Sequence, residues 1–264
     1  MFNAENRKFY IDDTYMDYLV FGSGQKIMVI IAGLSTLTIG GMALPMAVMY
    51  RKFAKEYRVY MIDRRADLPP GCTIEQMAED TVKLMDSLQI KSADVIGVSQ
   101  GGMIAQCIAI RRPDLVRKLV LAVTASEANY TIKESIDSWV DLVEKGKNRE
   151  FAADMMYRMY SDRYISKYRL FIPVLSAMQK NINKDRFITR CKAIADFDIT
   201  AKLKNIQRPI LVIGAENDKV VTAEASEQIA AITGAELYIY EKYGHAVYDE
   251  AKDFNKRISD FLKK

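Results

Sequence analysis

The residues best placed to do chemistry gather around a serine. The stretch Ala93-Asp94-Val95-Ile96-Gly97-Val98-Ser99-Gln100-Gly101-Gly102 reads as a short buried strand, a Gly-x-Ser-x-Gly turn and the start of a helix that continues from Met103 to Ile110. A serine at a strand-to-helix corner is held in a strained backbone conformation that lifts its hydroxyl clear of the sheet. Gly97 and Gly101 suit such a corner because a Cβ at either position would crowd the tight turn. The backbone N–H of Gln100, at the start of the helix, then points to where an oxyanion would form.

A serine hydroxyl is a poor nucleophile near neutral pH and needs an adjacent base. The chain has a single histidine, His245 in Tyr243-Gly244-His245-Ala246, in the loop between the last strand and the last helix. The base in turn needs a carboxylate to hold its tautomer and stabilise the imidazolium. Gly214-Ala215-Glu216-Asn217-Asp218-Lys219-Val220-Val221 follows a buried strand directly, and Asp218 is the favoured partner. Glu216 beside it and Glu127, just after the Leu119 to Val123 strand, are the alternatives.

The elements that must position these residues alternate along the chain. Two strands, Lys8 to Asp12 and Tyr15 to Val20, open it. Apolar runs at Ile27 to Ile31, Val59 to Asp63, Ala93 to Ile96, Leu119 to Val123 and Ile210 to Ile213 have strand length and little polar alternation, as expected of a sheet covered on both faces. Helices are expected from about Pro45 to Tyr57, from the capping box Thr73…Gln76 to Leu88, near Ala223 to Ile232, and from about Asp249 to Leu262, with a strand at Glu236 to Tyr240. Repeated β-α units imply α/β architecture: a mostly parallel, doubly wound sheet with right-handed crossovers. From about 125 to 197 the alternation stops and amphipathic windows take over, such as Ile136, Trp139, Val140 and Val143. That stretch reads as a helical cap inserted between core segments 1–124 and 198–264, lying over the carboxyl edge of the sheet.

Composition excludes several classes. Half the residues are hydrophobic and the net charge is only +4, so the chain can build an ample core and lacks the field of a nucleic-acid binder. The basic clusters at Lys145 to Arg149 and Lys263-Lys264 are short and carry no interleaved aromatics. No metal-ligand spacing, Walker loop or dinucleotide glycine pattern is present, so neither metal nor cofactor is expected. Three scattered cysteines, Cys72, Cys107 and Cys191, suit no disulfide framework and fit a reducing cytosol; Cys107 reads as core and Cys72 as an exposed loop residue. The first residues have no basic segment leading into an apolar core, so neither a signal peptide nor a membrane partner is expected. The expected partner is a small molecule, the location cytoplasmic, and the oligomeric state stays open.

The order Ser99, Asp218, His245 is that of an elbow serine on an α/β sheet, and the chain resembles the α/β-hydrolase fold superfamily along nearly its whole length. The resemblance rests on the elbow, the strand-ending Gly-x-x-x-Asp segment, the Gly-His segment before the last helix and the helical insertion. It implies a serine triad and a second oxyanion donor, the backbone N–H of Leu34, paired with that of Gln100. Many relatives carry His-Gly before that donor; this chain has Ala32-Gly33. The implied activity is cleavage of a small, mainly apolar carboxylic ester or thioester, with carbon–carbon bond hydrolysis, aminopeptidase activity or non-catalytic ligand binding as alternatives. Trp139, Met155, Met156, Met159, Tyr160, Met178 and Val220 are candidates to line an acyl pocket, methionine adapting well to irregular apolar shapes. Arg64 and Arg65 end a strand on the edge where open α/β sheets bind ligands, and either hold a substrate carboxylate or pair with Asp67 or Glu75.

Overall fold

The computed structural model describes residues 3–177 and 182–264, so Met178 lies outside the described residues. Eight strands form one sheet: β1 (Glu5–Ile11), β2 (Thr14–Phe21), β3 (Lys26–Ile31), β4 (Tyr57–Arg65), β5 (Ala93–Val98), β6 (Val116–Ala122), β7 (Ile210–Ala215) and β8 (Glu236–Tyr240). Their spatial order is β1-β2-β4-β3-β5-β6-β7-β8. The β1–β2 hairpin and the β2–β4 pair are antiparallel, and every other pairing is parallel.

The central strands are apolar on both faces because both faces are covered. Val29 and Ile31 of β3, Val95 of β5 and Leu119 and Leu121 of β6 pack into one core layer. Their neighbours Met28, Ile30, Ile96, Val98, Val120 and Ala122 pack into the other. Helices α1 (Ala43–Met49), α2 (Ile74–Ser87) and α3 (Gln100–Arg111) connect the first strands, and α2 begins at the expected capping box of Thr73 and Gln76. Between β6 and β7 run α4 (Tyr130–Glu144), α5 (Asn148–Met159), α6 (Asp162–Tyr168), α7 (Ile172–Ala177) and α8 (Lys184–Ala195), followed after β7 by α9 (Ala223–Thr233) and after β8 by α10 (Val247–Glu250) and α11 (Phe254–Lys263). Helices α2, α3 and α9 cover the first core layer; α1 and α11 cover the second.

The two ends of the α4–α8 segment are tied together. Glu127 and Asp198 form an antiparallel bridge, Ala128 N donates to Phe197 O at 2.9 Å, and Ile199 N donates to Ser126 O at 2.9 Å. Within it the Phe151 and Phe187 rings meet edge to face at 5.1 Å, joining α5 to α8.

Two helices are shorter than their spacing predicts. The chain leaves α1 at Met49 and closes tight turns from Tyr50 to Glu56, because Tyr57 is recruited to pair with Lys26 in the parallel β3–β4 ladder. The final helix breaks between Glu250 and Phe254 into α10 and α11. Cys72 is also corrected: it is buried, 4% exposed, and burial pushes its thiol up to about 11. Among the described residues no helix is long and apolar enough to cross a membrane.

Candidate active site

The carboxyl ends of four parallel strands bring the sequence-predicted residues to one place. Ser99 follows β5, Leu34 follows β3, Asp218 follows β7 and His245 follows β8. Ser99 has φ +54° and ψ −123°, a conformation an L-residue adopts at a cost of about 1–3 kcal/mol. The surrounding bonds hold it there. Ser99 N donates to Ala122 O on β6 at 2.9 Å, while its carbonyl accepts from Thr124 Oγ1 at 2.7 Å and from Gly102 N at 2.8 Å. Gly97 and Gly101 are required by space: a Cβ at Gly97 would stand 2.5 Å from Gly101 O, and one at Gly101 would stand 2.0 Å from Ile31 O.

His245 Nε2 lies 3.0 Å from Ser99 Oγ, and its Nδ1 lies 2.8 Å from Asp218 Oδ2. Asp218 uses its other oxygen, Oδ1, to accept the N–H groups of Val220 at 2.8 Å and Val221 at 2.9 Å, which fixes the carboxylate against rotation. Both His245 and Asp218 are buried. The alternative carboxylates lie elsewhere: Glu216 accepts Lys242 N at the surface, and Glu127 accepts Gln228 Nε2. Gly244 beside the histidine is also dictated by space, because a Cβ there would stand 2.8 Å from Met159 O. Ala246 N donates to that same carbonyl at 2.7 Å, linking the end of α5 to the histidine loop.

Ser99, His245, Leu34 and Gln100 open onto one cavity, whose walls are otherwise mainly apolar: Trp139, Met155, Met159 and Val220 from among the sequence candidates, and also Met103, Ile132, Ile136, Ile194, Val221 and Tyr248. Ile132, Ile136 and Trp139 recur on α4 at the spacing of one helix face, the signal that could have added the two isoleucines. The cavity, with the space at its open mouth, has a volume of about 490 Å³. The shape suits a small group. Met156 and Tyr160 do not line it; the Tyr160 hydroxyl turns away to donate to Asp249 Oδ2 at 3.0 Å. Neither Leu34 N–H nor Gln100 N–H has a hydrogen-bond partner among the described residues, so both donors are free beside the serine.

A model of the α/β-hydrolase fold matches residues 26–252, most of the chain. The chain belongs to the α/β-hydrolase family. It is 28% identical over 235 residues to the protein named putative carbamate hydrolase RutD of Rhizobium rhizogenes, covering 85% of this chain and 90% of that one. Among solved structures, the α/β-hydrolase MGS-M2 from a Medee basin deep-sea metagenome library superposes with a TM-score of 0.87 at 19% identity, covering 98% of each chain. The enol-lactonase of Burkholderia xenovorans LB400 superposes with a TM-score of 0.84 at 22% identity, covering 98% of this α/β hydrolase and all of that chain.

Two arginine expectations are corrected. Arg65 pairs with Asp80 through both Nε and Nη2 at 2.6 Å and with Asp12 at 2.7 Å, not with Asp67 or Glu75. Asp80 on α2 presents both carboxylate oxygens to the guanidinium fork, a bidentate geometry that wins over a single contact. Asp67 is instead within 3.3 Å of Thr14 Oγ1. Arg64 folds inward, is 2% exposed, and is absent from the cavity wall.

Proposed function

We propose that this α/β hydrolase cleaves small, mainly apolar carboxylic esters or thioesters through an acyl-enzyme on Ser99. The observation that carries the reading is the imidazole of His245 lying 3.0 Å from Ser99 Oγ and 2.8 Å from Asp218 Oδ2 at the wall of an apolar cavity. With Asp218 ionised, Nδ1–H of His245 donates to it and Nε2 is left to take the proton of the serine hydroxyl. Ser99 Oγ attacks the acyl carbon, and the carbonyl π electrons move to oxygen, to which the N–H groups of Leu34 and Gln100 donate hydrogen bonds. His245 returns the proton to the departing alkoxide or thiolate as the carbon–heteroatom bond breaks. Water, deprotonated by the same nitrogen, then releases the acid and restores Ser99.

Residues 125–197 act in this reading as a cap: α4 and α5 supply Ile132, Ile136, Trp139, Met155 and Met159 to the acyl side of the cavity. The narrow space favours short acyl groups. A second reading is hydrolysis of a carbamate, supported by the similarity to a protein named putative carbamate hydrolase. Aminopeptidase activity and ligand binding without turnover are further outcomes of the same test.

The test is a panel of nitrophenyl esters graded by acyl length, run beside small carbamates and aminoacyl amides, with Ser99→Ala and His245→Ala as controls. Short esters are expected to turn over fastest, and each substitution is expected to lower turnover roughly a millionfold, as in other triads that act as a unit. A variant retaining activity within about tenfold of the parent would refute the assignment. Preference for carbamates over esters would move the assignment to the second reading. Failure of a fluorophosphonate to label Ser99 would favour a binding protein.

A further inference from the structure

Behind the oxyanion loop lies a buried ionic cluster that the hydrolytic steps above do not use. Arg64 at the end of β4 and Arg186 and Arg190 on α8 are at most 4% exposed, and the carboxylate among them is Asp63. Arg186 holds that carboxylate at 3.0 Å and also caps the carbonyls of Arg65 at 2.9 Å and Arg64 at 3.3 Å. Replacing buried ionic groups by apolar side chains of similar volume is often neutral or stabilising, so three guanidiniums facing one carboxylate need a reason other than stability.

The hydrogen bonds give one. Arg64 Nη2 donates to Ala32 O and, at 2.8 Å, to Gly33 O. Arg190 Nη2 donates to the same Gly33 O at 2.8 Å, and its Nη1 donates to Ser35 O at 2.9 Å. Arg64 meets these contacts at the expense of its own saturation: its Nε and Nη1 are buried with no hydrogen-bond partner among the described residues, Nη1 lying 3.9 Å from Asp63 Oδ1 as an ion pair. The carbonyl of Gly33 and the N–H of Leu34 are two ends of one peptide group. In a planar trans peptide they point in opposite directions. Anchoring the carbonyl in the arginine cluster therefore aims the N–H away from the cluster. Two charge-assisted hydrogen bonds on the oxygen also draw electron density from the nitrogen, strengthening the N–H as a donor. The other oxyanion residue is tied to the same pair: Gln100 Oε1 accepts Arg190 Nε at 2.9 Å and Arg64 Nη2 at 3.1 Å, while Gln100 Nε2 donates to Arg190 O at 3.1 Å.

We propose that Arg64 and Arg190 are positioning residues for the oxyanion site, acting through the Gly33–Leu34 peptide to orient and polarise the Leu34 N–H. The inference rests on the serine-hydrolase reading of Ser99. It assigns α8 a part in catalysis without contact with substrate. It also gives Ala32-Gly33 a means of fixing the loop where many relatives carry His-Gly.

The experiment compares the parent with Arg190→Met, Arg190→Lys and Arg64→Lys, each checked for folding by thermal unfolding. Three quantities are measured: kcat and KM for nitrophenyl acetate, affinity for a trifluoromethyl ketone that forms a tetrahedral adduct on Ser99, and the ¹⁵N shift of the Leu34 amide. Removing an entire oxyanion donor costs 10²–10³ in kcat, so weakening one is expected to cost about tenfold to a hundredfold with KM within about threefold. Ketone affinity is expected to fall in parallel, the Leu34 resonance to move upfield, and Arg190→Lys to recover part of the Arg190→Met loss. If Arg190→Met does not fold, the two lysine variants decide. A folded variant with kcat, ketone affinity and the Leu34 resonance all unchanged overturns the proposal, as does a loss confined to KM. A parent that never turns over ester sinks the hydrolase reading instead, and the Leu34 resonance then still tests whether the arginines polarise that peptide.

Discussion

Asp218 divides its two oxygens between His245 and the backbone: Oδ2 faces the imidazole while Oδ1 accepts Val220 N and Val221 N. Asp218→Asn preserves the second role and breaks the first, since an amide N–H would face Nδ1 and favour the wrong tautomer. The expected result is a loss of about 10⁴-fold in kcat on a nitrophenyl ester with the fold intact, by analogy with the same change in a serine protease triad. Glu216→Gln, in the same loop but at the surface, is expected to stay within about twofold of the parent in the same assay. Ser99 and His245 were legible in the sequence because the elbow has a local signature and the chain offers one histidine. Asp218 was legible only as a preference over Glu216 and Glu127, because a carboxylate in a loop carries no local sign of which way it faces. Arg190 left no trace at all. Its role depends on meeting Gly33, Ser35 and Gln100, residues distant in the chain, and helical spacing does not encode such a meeting.

At the scale of elements, the elbow is a packing problem solved by glycine. The first turn of α3 passes so close to the end of β3 that a Cβ on Gly101 would lie 2.0 Å from Ile31 O and 2.7 Å from Ala32 O. Both obstacles are backbone, so neither can rotate aside. Gly101→Ala is therefore expected to lower stability by about 3 kcal/mol or more, read as a shift in urea midpoint with an unchanged m-value. A loss under about 0.5 kcal/mol, the range of an ordinary surface change, would mean that the corner is looser than this geometry requires. Strands and the α2 capping box were readable because their signals are local: an apolar run, or a Thr and a Gln three residues apart. The C-terminal end of α1 was not, because pairing of Tyr57 with Lys26 cuts the helical periodicity short.

For the molecule as a whole, the buried arginine cluster makes stability depend on one carboxylate. Burial pushes the Asp63 carboxyl up, but Arg186, Arg64 and Arg190 together outweigh it and leave it below the ordinary carboxylate value. Burial lowers Arg64 to about 10, so it stays charged at neutral pH. A depressed carboxyl contributes stability in full above its unfolded value near pH 4, and that contribution is lost as pH falls through the folded value. Asp63→Asn is thus expected to cost about 3 kcal/mol at pH 7, with the gap to the parent narrowing below about pH 4. Thermal unfolding across pH 2.5 to 7, values chosen about the carboxylate range, measures it, and a gap independent of pH would contradict the assignment. The eight-stranded sheet carries the arginine cluster and holds the catalytic candidates on its carboxyl edge, and the proposed chemistry passes an acyl group through Ser99. The most direct measurement is intact mass spectrometry of the protein quenched in acid moments after mixing with a short nitrophenyl ester, followed by peptide mapping. An added acyl mass on the peptide bearing Ser99, absent from Ser99→Ala, is the expected result. Ester hydrolysis by the parent with no adduct on that peptide, or an adduct that persists in Ser99→Ala, would contradict it.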